Sequence, residues 1–314
     1  MKDVEDRLLV KIAQMYYEED KNQSQISKEL NIHRSTISRL LKKSREEGIV
    51  NISINYDLAG TYTIEKELEE RFELQKAVVV PTATEITSLQ KVHFLGEAAN
   101  RFLQTILTDD MIIGFSWGQA MAAVSESLQD IEVSNIMCIP LVGGPSGRLV
   151  SDYHVNTITY EASKNLKGKA LLIDSPAFPK TKELKSALMS DDFNQELAKY
   201  WKKISVAVFG VGSPLMKDSD RWQFFYGEDV LAKLNGRVAG DVVSRFYDKQ
   251  GQHIPNELDD RLIGINIEEL KNINYRIAVA ESLEKVPAIR GALLGGYANV
   301  VVTTQETAEE ILKN

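Results

Sequence analysis

Apolar residues near the start of the chain repeat every three or four positions, which is the spacing of one helix face. The residues that define a first helix are Leu8, Leu9, Ile12, Ala13, Met15 and Tyr16. Ser24 is the expected N-cap of a short second helix that runs from Ile26 to Leu30. Because Asn31 tolerates the left-handed backbone of a tight turn, we expect the second helix to end there.

A third helix follows this turn, and its spacing from the second helix predicts a helix-turn-helix. Ser27, Asn31 and Ile37 supply a small residue at a helix crossing, a turn residue and an inward aliphatic residue. The inward face of the third helix carries Ile37, Leu40 and Leu41. Residues 48–56 then alternate in polarity and predict a β-ribbon, the wing of a winged helix. We therefore expect a winged helix-turn-helix domain over residues 1–57.

Beyond residue 62 the pattern changes to a charged helix followed by alternating strands and helices. The segment 63–74 predicts an amphipathic helix with Ile64, Leu68 and Phe72 inward, a connector (58–75) or a dimer-forming helix. The predicted strands are 77–80, 111–115, 136–142, 169–173, 204–212, 276–280 and 299–304. Short apolar strands separated by helices predict a parallel sheet covered on both faces, an α/β Rossmann-like three-layer domain over residues 58–314.

Glycine-rich loops follow several predicted strands, where α/β sheets bind their ligands. The sequence MIIGFSWGQAMAAV places Ser116 and Gly118 between a strand and a helix, so that backbone amides could bind an anion. The other loops of this kind carry Gly143, Gly144, Ser146 and Gly147, and Gly210 and Gly212. A single such loop is usually only a tight turn, but their recurrence favours a ligand site.

Charge separates the N-terminal segment from the rest of the chain. The chain has 37 Lys and Arg against 45 Asp and Glu, a net charge of −8, yet residues 1–60 hold 10 of each sign. The segment between His33 and Arg45 contains no acidic residue, so a polyanion is expected to bind there and not on the acidic body. The predicted contacts to double-stranded DNA are Gln25, Arg34, Ser35, Thr36, Ser38, Arg39, Lys42 and Lys43. The alternative is a surface hairpin with solvated charges.

The remaining composition restricts the class of protein. Cys138 is the only cysteine and lies in an apolar run, which excludes a disulfide framework within the chain and fits a reducing cytoplasm. No apolar run is long enough to cross a membrane, and the N-terminus lacks the apolar core of a signal peptide. The histidines, His33, His93, His154 and His253, do not have metal-ligand spacing. We expect a cytoplasmic protein without a cofactor or a bound metal.

An enzymatic alternative arises from the same strand–turn–helix sequence. GFSWG satisfies the G-x-S-x-G pattern of the nucleophile elbow in α/β-hydrolases. Asp248 and His253 could supply the acid and base, but both lie in the segment 244–258, which is expected to form one loop. A hydrolase draws these groups from separate strand ends, so hydrolysis is the less favoured interpretation.

Several motifs, in this order along the chain, resemble the SorC family of bacterial sugar-responsive transcription regulators over nearly the full length. The motifs are ISRLLKK, IVNISINYD, IGFSWG, GGPSG, YHVNT, VAGDVVSRFYD and EKVPAIRGALLGGY. The resemblance implies a winged helix-turn-helix joined to an effector domain related to sugar-phosphate isomerases and deaminases, assembled as a homotetramer. It implies regulation of a carbohydrate operon, here one for sorbose or sorbitol, by a sugar or sugar phosphate that alters operator binding.

The resemblance also implies the effector-binding residues. They are Gly114, Ser116, Gly118, Gln119, Gly143, Gly144, Asp248 and Lys285. A carboxylate accepts hydrogen bonds from sugar hydroxyls, while a lysine binds a phosphate or another oxygen. The segment AVAESLEKV departs from the glycines that many members have before the lysine. No convincing acid/base pair for isomerase or hydrolase chemistry is present, so the chain is expected to be a regulator and not an enzyme with an ancillary DNA-binding domain.

Overall fold

A computed structural model of the protein describes residues 2–50, 60–82, 86–145, 151–215, 225–226, 232–234 and 236–313. The chain divides into two compact units, Met1–Tyr56 and Asp57–Asn314, and each is described by itself. The predicted wing falls mostly on residues 51–59, which lie outside the described residues.

Three helices form the described part of the N-terminal unit: α1 (Lys2–Tyr17), α2 (Gln23–Leu30) and α3 (Arg34–Glu46). Asn22, and not the expected Ser24, is the N-cap of α2, because its Oδ1 accepts hydrogen bonds from the backbone N–H groups of Ser24 and Gln25, both at 3.0 Å. Asn31 has φ 53° and ψ 42°, which confirms the left-handed turn. The core between the helices contains Leu9, Ile12, Met15, Ile26, Ile37, Leu40 and Leu41.

A seven-stranded parallel sheet forms the centre of the second unit, in the order β1-β9-β8-β5-β2-β3-β4. Its strands are β1 (Lys76–Val80), β2 (Ile112–Phe115), β3 (Met137–Pro140), β4 (Lys169–Ala170), β5 (Val206–Phe209), β8 (Tyr275–Val279) and β9 (Val300–Thr304). The expected parallel α/β architecture is confirmed. Strand β4 pairs over two residues only, so the predicted strand 169–173 is mostly not part of the ladder.

Helices cover the sheet, and the connections between strands supply them. They are α4 (Tyr62–Phe72), α5 (Ser88–Ile106), α6 (Gln119–Ser127), α7 (Val155–Asn165), α8 (Lys182–Met189), α9 (Asp192–Trp201), α10 (Ile267–Lys271), α11 (Val286–Leu294) and α12 (Gln305–Lys313). Leu68 and Phe72 of α4 are buried in the main core, as expected, and the helix packs beside the edge strand β1. The Glu65 and Glu69 carboxylates accept hydrogen bonds from the amides of Val79 (2.9 Å) and Ala77 (3.2 Å). These carboxylates therefore satisfy amides that an edge strand would otherwise expose.

The order of the strands identifies where a ligand would bind. From β2 the chain proceeds to β3 on one side, whereas from β5 it proceeds to β8 on the other side. Strands β2 and β5 are neighbours, so their carboxyl ends form a topological switch point, where the two following connections diverge and leave a crevice.

An antiparallel hairpin, which the sequence interpretation missed, interrupts the α/β pattern. Strand β6 (Gly240–Val242) pairs with β7 (Arg245–Tyr247), and β7 lies in the segment 244–258 that was expected to form one loop. The two turn residues, Val243 and Ser244, have φ values of 44° and 65°, which match a type I′ turn. Asn-Gly is the usual signal for this turn, and a β-branched residue at positive φ is a rare substitute. The sequence pattern therefore gave no indication of it.

Candidate effector cavity and DNA-recognition helix

A cavity of about 730 Å³ opens at the switch point between β2 and β5. Its walls are the start of α5, the loops after β2 and β5, the β6–β7 hairpin and the segment after β8. The loop after β5 contributes Gly210 and Gly212, the third glycine-rich loop of the sequence. The volume lies in the range of small-molecule sites, and the position is the one expected for a ligand in this fold.

The loop after β2 carries the anion-binding features of the cavity. The Ser116 hydroxyl accepts a hydrogen bond from the Gly210 amide at 3.3 Å, which ties the loops after β2 and β5 together. Gly118 is the N-cap of α6 with φ 120°, a conformation that favours glycine, and it has no side chain to cap the helix. Gly118 therefore cannot cap the first amides of α6, and this helix terminus favours a negatively charged or oxygen-rich ligand.

Asp241 supplies a carboxylate to the cavity from the β6–β7 hairpin. Its Oδ2 accepts hydrogen bonds from the Tyr226 hydroxyl at 2.8 Å and from the Ser244 amide at 3.2 Å. Burial, together with the Asp241 charge, raises the pKa of Tyr226 far above its usual range, so this hydroxyl stays protonated and donates. The side chain of Asp241 is thus held in one orientation by the turn and by an aromatic neighbour.

Lys285 and Glu281 bring opposite charges to the wall that follows β8. Burial lowers the pKa of the Lys285 ammonium, and the charges of Glu281 and Asp241 oppose that shift. Burial raises the pKa of the Glu281 carboxyl, and the charges of Lys91 and Lys285 oppose it. The cavity therefore combines a cation, carboxylates and a helix N-terminus, a set that can bind a polyhydroxylated ligand through several hydrogen bonds.

Half of the effector residues inferred from the family resemblance meet at this cavity: Ser116, Gly118, Gln119 and Lys285 line it. Gly114 does not, because it lies within β2 and is buried. A Cβ atom at this position would clash with the side chain of Leu141 and lie 3.2 Å from that of Ile204. In this structure Gly114 therefore has a packing role between the sheet and its neighbours.

Gly143 and Gly144 also do not line the cavity in the part of the chain that the structure describes. A Cβ atom on Gly143 would lie 2.6 Å from the backbone of Pro176, and one on Gly144 would lie 2.7 Å from Nε2 of His154. Close packing accounts for both glycines. Ser146 and Gly147 of the same loop lie outside the described residues.

Asp248 likewise does not line the cavity. Its Oδ1 accepts hydrogen bonds from the Gln250 amide at 3.0 Å and the Gln252 amide at 2.9 Å, so it stabilises the turn that follows β7. Asp241, which the sequence interpretation missed, is the aspartate of this hairpin region that lines the cavity. Both aspartates belong to the motif VAGDVVSRFYD, and recognition of the hairpin would have been needed to choose between them.

Asp248 and His253, the acid and base of the nucleophile-elbow alternative, do not line the cavity that contains Ser116. His253 Nε2 lies 3.2 Å from Oδ2 of Asp259, whose Oδ1 is 2.8 Å from Nη1 of Arg245. No histidine lines the cavity among the described residues. Within the same residues, no group of His, Cys, Asp and Glu side chains is arranged to hold a metal ion, and no helix is long and apolar enough to span a membrane.

The outer face of α3 is the candidate DNA interface in the N-terminal unit. Arg34, Ser35, Ser38, Arg39 and Lys42 are exposed, Thr36 and Lys43 are half-buried, and Gln25 is exposed on α2. Gln25 also takes part in the capping box of α2, where its Oε1 accepts a hydrogen bond from the Asn22 amide at 2.8 Å. Lys42 and Lys43 lie 3.7 and 3.5 Å from Glu46 and Glu47, as i,i+4 pairs. Pairs of this kind are weak at a surface, so a phosphate can displace the glutamates.

Comparison with known proteins assigns both units. Residues 56–313 match the family model Sugar-bind, a sugar-binding domain, and residues 1–51 match a homeodomain-like helix-turn-helix model. The chain is 41% identical over 309 residues to the sorbitol operon regulator of Klebsiella pneumoniae, with 98% of each chain covered. It is 29% identical to the deoxyribonucleoside regulator of Bacillus subtilis, again with 98% of each covered.

Solved structures give the same result. The full-length sorbitol operon regulator SorC from Klebsiella pneumoniae matches with a TM-score of 0.80 at 41% identity, and the match covers 98% of each chain. A transcriptional regulator from Streptococcus pneumoniae matches with a TM-score of 0.76 at 28% identity, over 82% of this chain and 98% of its own.

Proposed function

The chain belongs to the SorC family of sugar-responsive transcription regulators, and we propose that it regulates an operon for the use of sorbitol or sorbose. As a member of this family it is a helix-turn-helix transcription regulator and not an enzyme. In this proposal the effector binds in the cavity at the switch point and changes the affinity of the protein for its operator. The identity of 41% over nearly the whole length to a sorbitol operon regulator supports this choice of sugar.

The observation that carries the effector part of the proposal is the constellation of Ser116, Gly118, Asp241 and Lys285 around one cavity. Asp241 would accept hydrogen bonds from sugar hydroxyls, and Lys285 would bind an oxygen or a phosphate. The N-terminus of α6 would bind the remaining oxygen atoms. A polyhydroxylated ligand has the many donors and acceptors that such a site requires.

The DNA part of the proposal rests on α3. Arg39 and Ser35 are exposed beside the basic residues of the same face, so this face can donate to base edges and phosphates. In the proposal α3 occupies the major groove, as the second helix of a helix-turn-helix does. We further propose that the protein acts as a homotetramer in the cytoplasm, where a regulator of this family would meet its operator.

The proposal can be tested by selecting operator sites from a random duplex library and measuring binding by fluorescence anisotropy. Sorbitol, sorbose and their phosphates would then be titrated into the complex. The expected result is a saturable change in operator affinity with at least one of these compounds. If none of them changes operator affinity or raises the melting temperature of the protein, the assignment to sorbitol or sorbose is overturned.

A further inference from the structure

The cavity wall that follows β8 is held in a strained conformation. Ser282 has φ 115° and ψ 136°, an unfavourable conformation for a residue other than glycine. Its amide donates to the Thr307 hydroxyl at 3.1 Å, and its own hydroxyl accepts from the Glu284 amide at 3.2 Å. The turn is thus fixed to α12 on one side and to the following 3₁₀ turn on the other. Strain that is held in this manner at a cavity wall is a feature of ligand sites.

This strained turn separates two charged side chains, those of Glu281 and Lys285, and both face the same cavity. Within the described part of the chain, the Glu281 carboxylate takes part in no hydrogen bond and in no ion pair. Glu306 on the rim of the same cavity differs, because its Oε2 lies 3.0 Å from Nζ of Lys91. Glu281 is thus a partly buried carboxylate without a direct partner among the residues that the structure describes.

Such a carboxylate destabilises the folded state unless something else binds it. Withdrawal from water disfavours the ionised form, in agreement with the upward shift of the Glu281 pKa by burial. An ionised carboxylate only accepts hydrogen bonds, so the group that it binds must donate them. A sugar hydroxyl meets this requirement, whereas the oxygen atoms of a phosphate dianion would be repelled.

We propose that Glu281 is a specificity-determining residue of the cavity, which accepts hydrogen bonds from the hydroxyl groups of a polyol and disfavours a ligand that presents a phosphate at this position. The inference rests on the proposed function, since it assigns the ligand class for one end of the same cavity. Lys285, at the other end of the strained turn, would contact a different part of the ligand. The opposite charges of Lys285 and Glu281 would then set the orientation of the ligand in the cavity.

The test is a thermodynamic cycle that combines one substitution in the protein with ligands that each lack one hydroxyl group. Wild-type protein and Glu281→Gln would be titrated with sorbitol, with each of its monodeoxy analogues and with sorbitol 6-phosphate by isothermal titration calorimetry. Glu281→Gln should bind sorbitol about 5- to 150-fold more weakly, the range for a buried polar group that is left mispaired. One deoxy analogue should bind to the wild-type protein more weakly than sorbitol does. The variant should bind this analogue and sorbitol with equal affinity. The affinity for sorbitol 6-phosphate should fall less than that for sorbitol.

A second measurement separates ligand recognition from a structural role. Without ligand, Glu281→Gln should melt at the same temperature as the wild-type protein or higher, because the change removes a desolvated charge. The matched control is Glu257→Gln, whose carboxylate pairs with Lys233 at 3.1 Å and does not line the cavity. This control should change sorbitol affinity by less than about twofold, since it alters a surface ion pair.

The outcomes distinguish the inference from the proposed function. If Glu281→Gln binds sorbitol and every analogue as the wild-type protein does, or melts well below it, the role of Glu281 is overturned and the regulator assignment stands. If the wild-type protein binds neither sorbitol nor its phosphate, both the inference and the choice of sugar are overturned.

Discussion

The face of α3 and the cavity of the second unit use charge in opposite ways. On α3, Arg34, Arg39 and Lys42 are exposed and lie on one helix, so they remain solvated until a partner arrives. In the cavity, Asp241, Glu281 and Lys285 are buried or half-buried, and they come from two parts of the fold, the β6–β7 hairpin and the segment after β8. Exposed charges provide attraction that depends on salt, whereas desolvated charges provide selectivity between ligands.

This difference predicts where substitutions will be most costly. A desolvated carboxylate that loses its charge leaves both protein and ligand donors mispaired, and no water compensates for the loss. A surface cation that is removed is replaced by counterions and water. We therefore expect effects to decrease from the cavity to the outer turn of α3, and the following experiments test that order.

The largest effect is expected for Asp241→Asn. An amide at this position replaces one acceptor with a donor beside the Tyr226 hydroxyl and the Ser244 amide, so effector affinity should fall by about 1–3 kcal/mol, or about 5- to 150-fold. Operator affinity without effector should not change. Calorimetry with the effector and anisotropy with the operator would measure the two properties separately.

Asp248→Asn is the matched control in the same hairpin region. Its carboxylate stabilises a turn and does not line the cavity, so the effector affinity of this variant should equal that of the wild-type protein. A loss of effector response in Asp248→Asn but not in Asp241→Asn would reverse the assignment of the cavity carboxylate.

The next effect in size is expected for Arg39→Ala on α3. Loss of a contact to a base or a central phosphate should weaken operator binding by about 1–3 kcal/mol, with effector affinity unchanged. Lys249→Ala makes a comparable change of charge on an exposed residue of the other unit and should leave operator affinity as it is. Equal operator titrations for Arg39→Ala and the wild-type protein would show that Arg39 does not contact DNA.

The sequence was sufficient where structure depends on near neighbours. The turn at Asn31 and the inward position of Ile37 follow from spacing along one segment, and both are confirmed. Gly118 and Lys285, which the family motifs singled out, both line the cavity, because their motifs follow the carboxyl ends of strands. The order of the strands in the sheet, by contrast, depends on the crossover connections, which no local sequence pattern specifies.

Asp241 and Gly114 show why the rest could not be predicted. The choice between Asp241 and Asp248 depends on a hairpin turn formed by Val243 and Ser244, a rare pair for positive φ. Gly114 was assigned to the ligand because it belongs to IGFSWG, but a side chain at this position would clash with Leu141, which follows strand β3. In each case the deciding contact joins residues that are separated in the sequence or uses an atypical backbone conformation.

A smaller effect is expected for Tyr226→Phe, which tests whether the orientation of Asp241 matters. The substitution removes the hydrogen bond to Asp241 at 2.8 Å and retains the ring. The loss of about 0.5–1.5 kcal/mol predicts an effector affinity about 2- to 12-fold weaker than that of the wild-type protein. The double variant with Asp241→Asn should show little further loss, since Tyr226 acts through Asp241. Additive losses in calorimetry would show that Tyr226 contacts the effector by itself.

The smallest effect at a fixed salt concentration is expected for Lys42→Ala, because its ammonium is exposed and lies 3.7 Å from Glu46. If Lys42 binds a phosphate, its removal releases one counterion fewer on binding, and the slope of log K against log salt should become shallower by about 1. Anisotropy titrations of the operator at several salt concentrations would measure this slope. Arg39→Ala should differ, with a loss of affinity that depends on the operator sequence. If the Lys42→Ala slope equals that of the wild-type protein, the ion pair with Glu46 persists on DNA and the phosphate contacts lie nearer the start of α3.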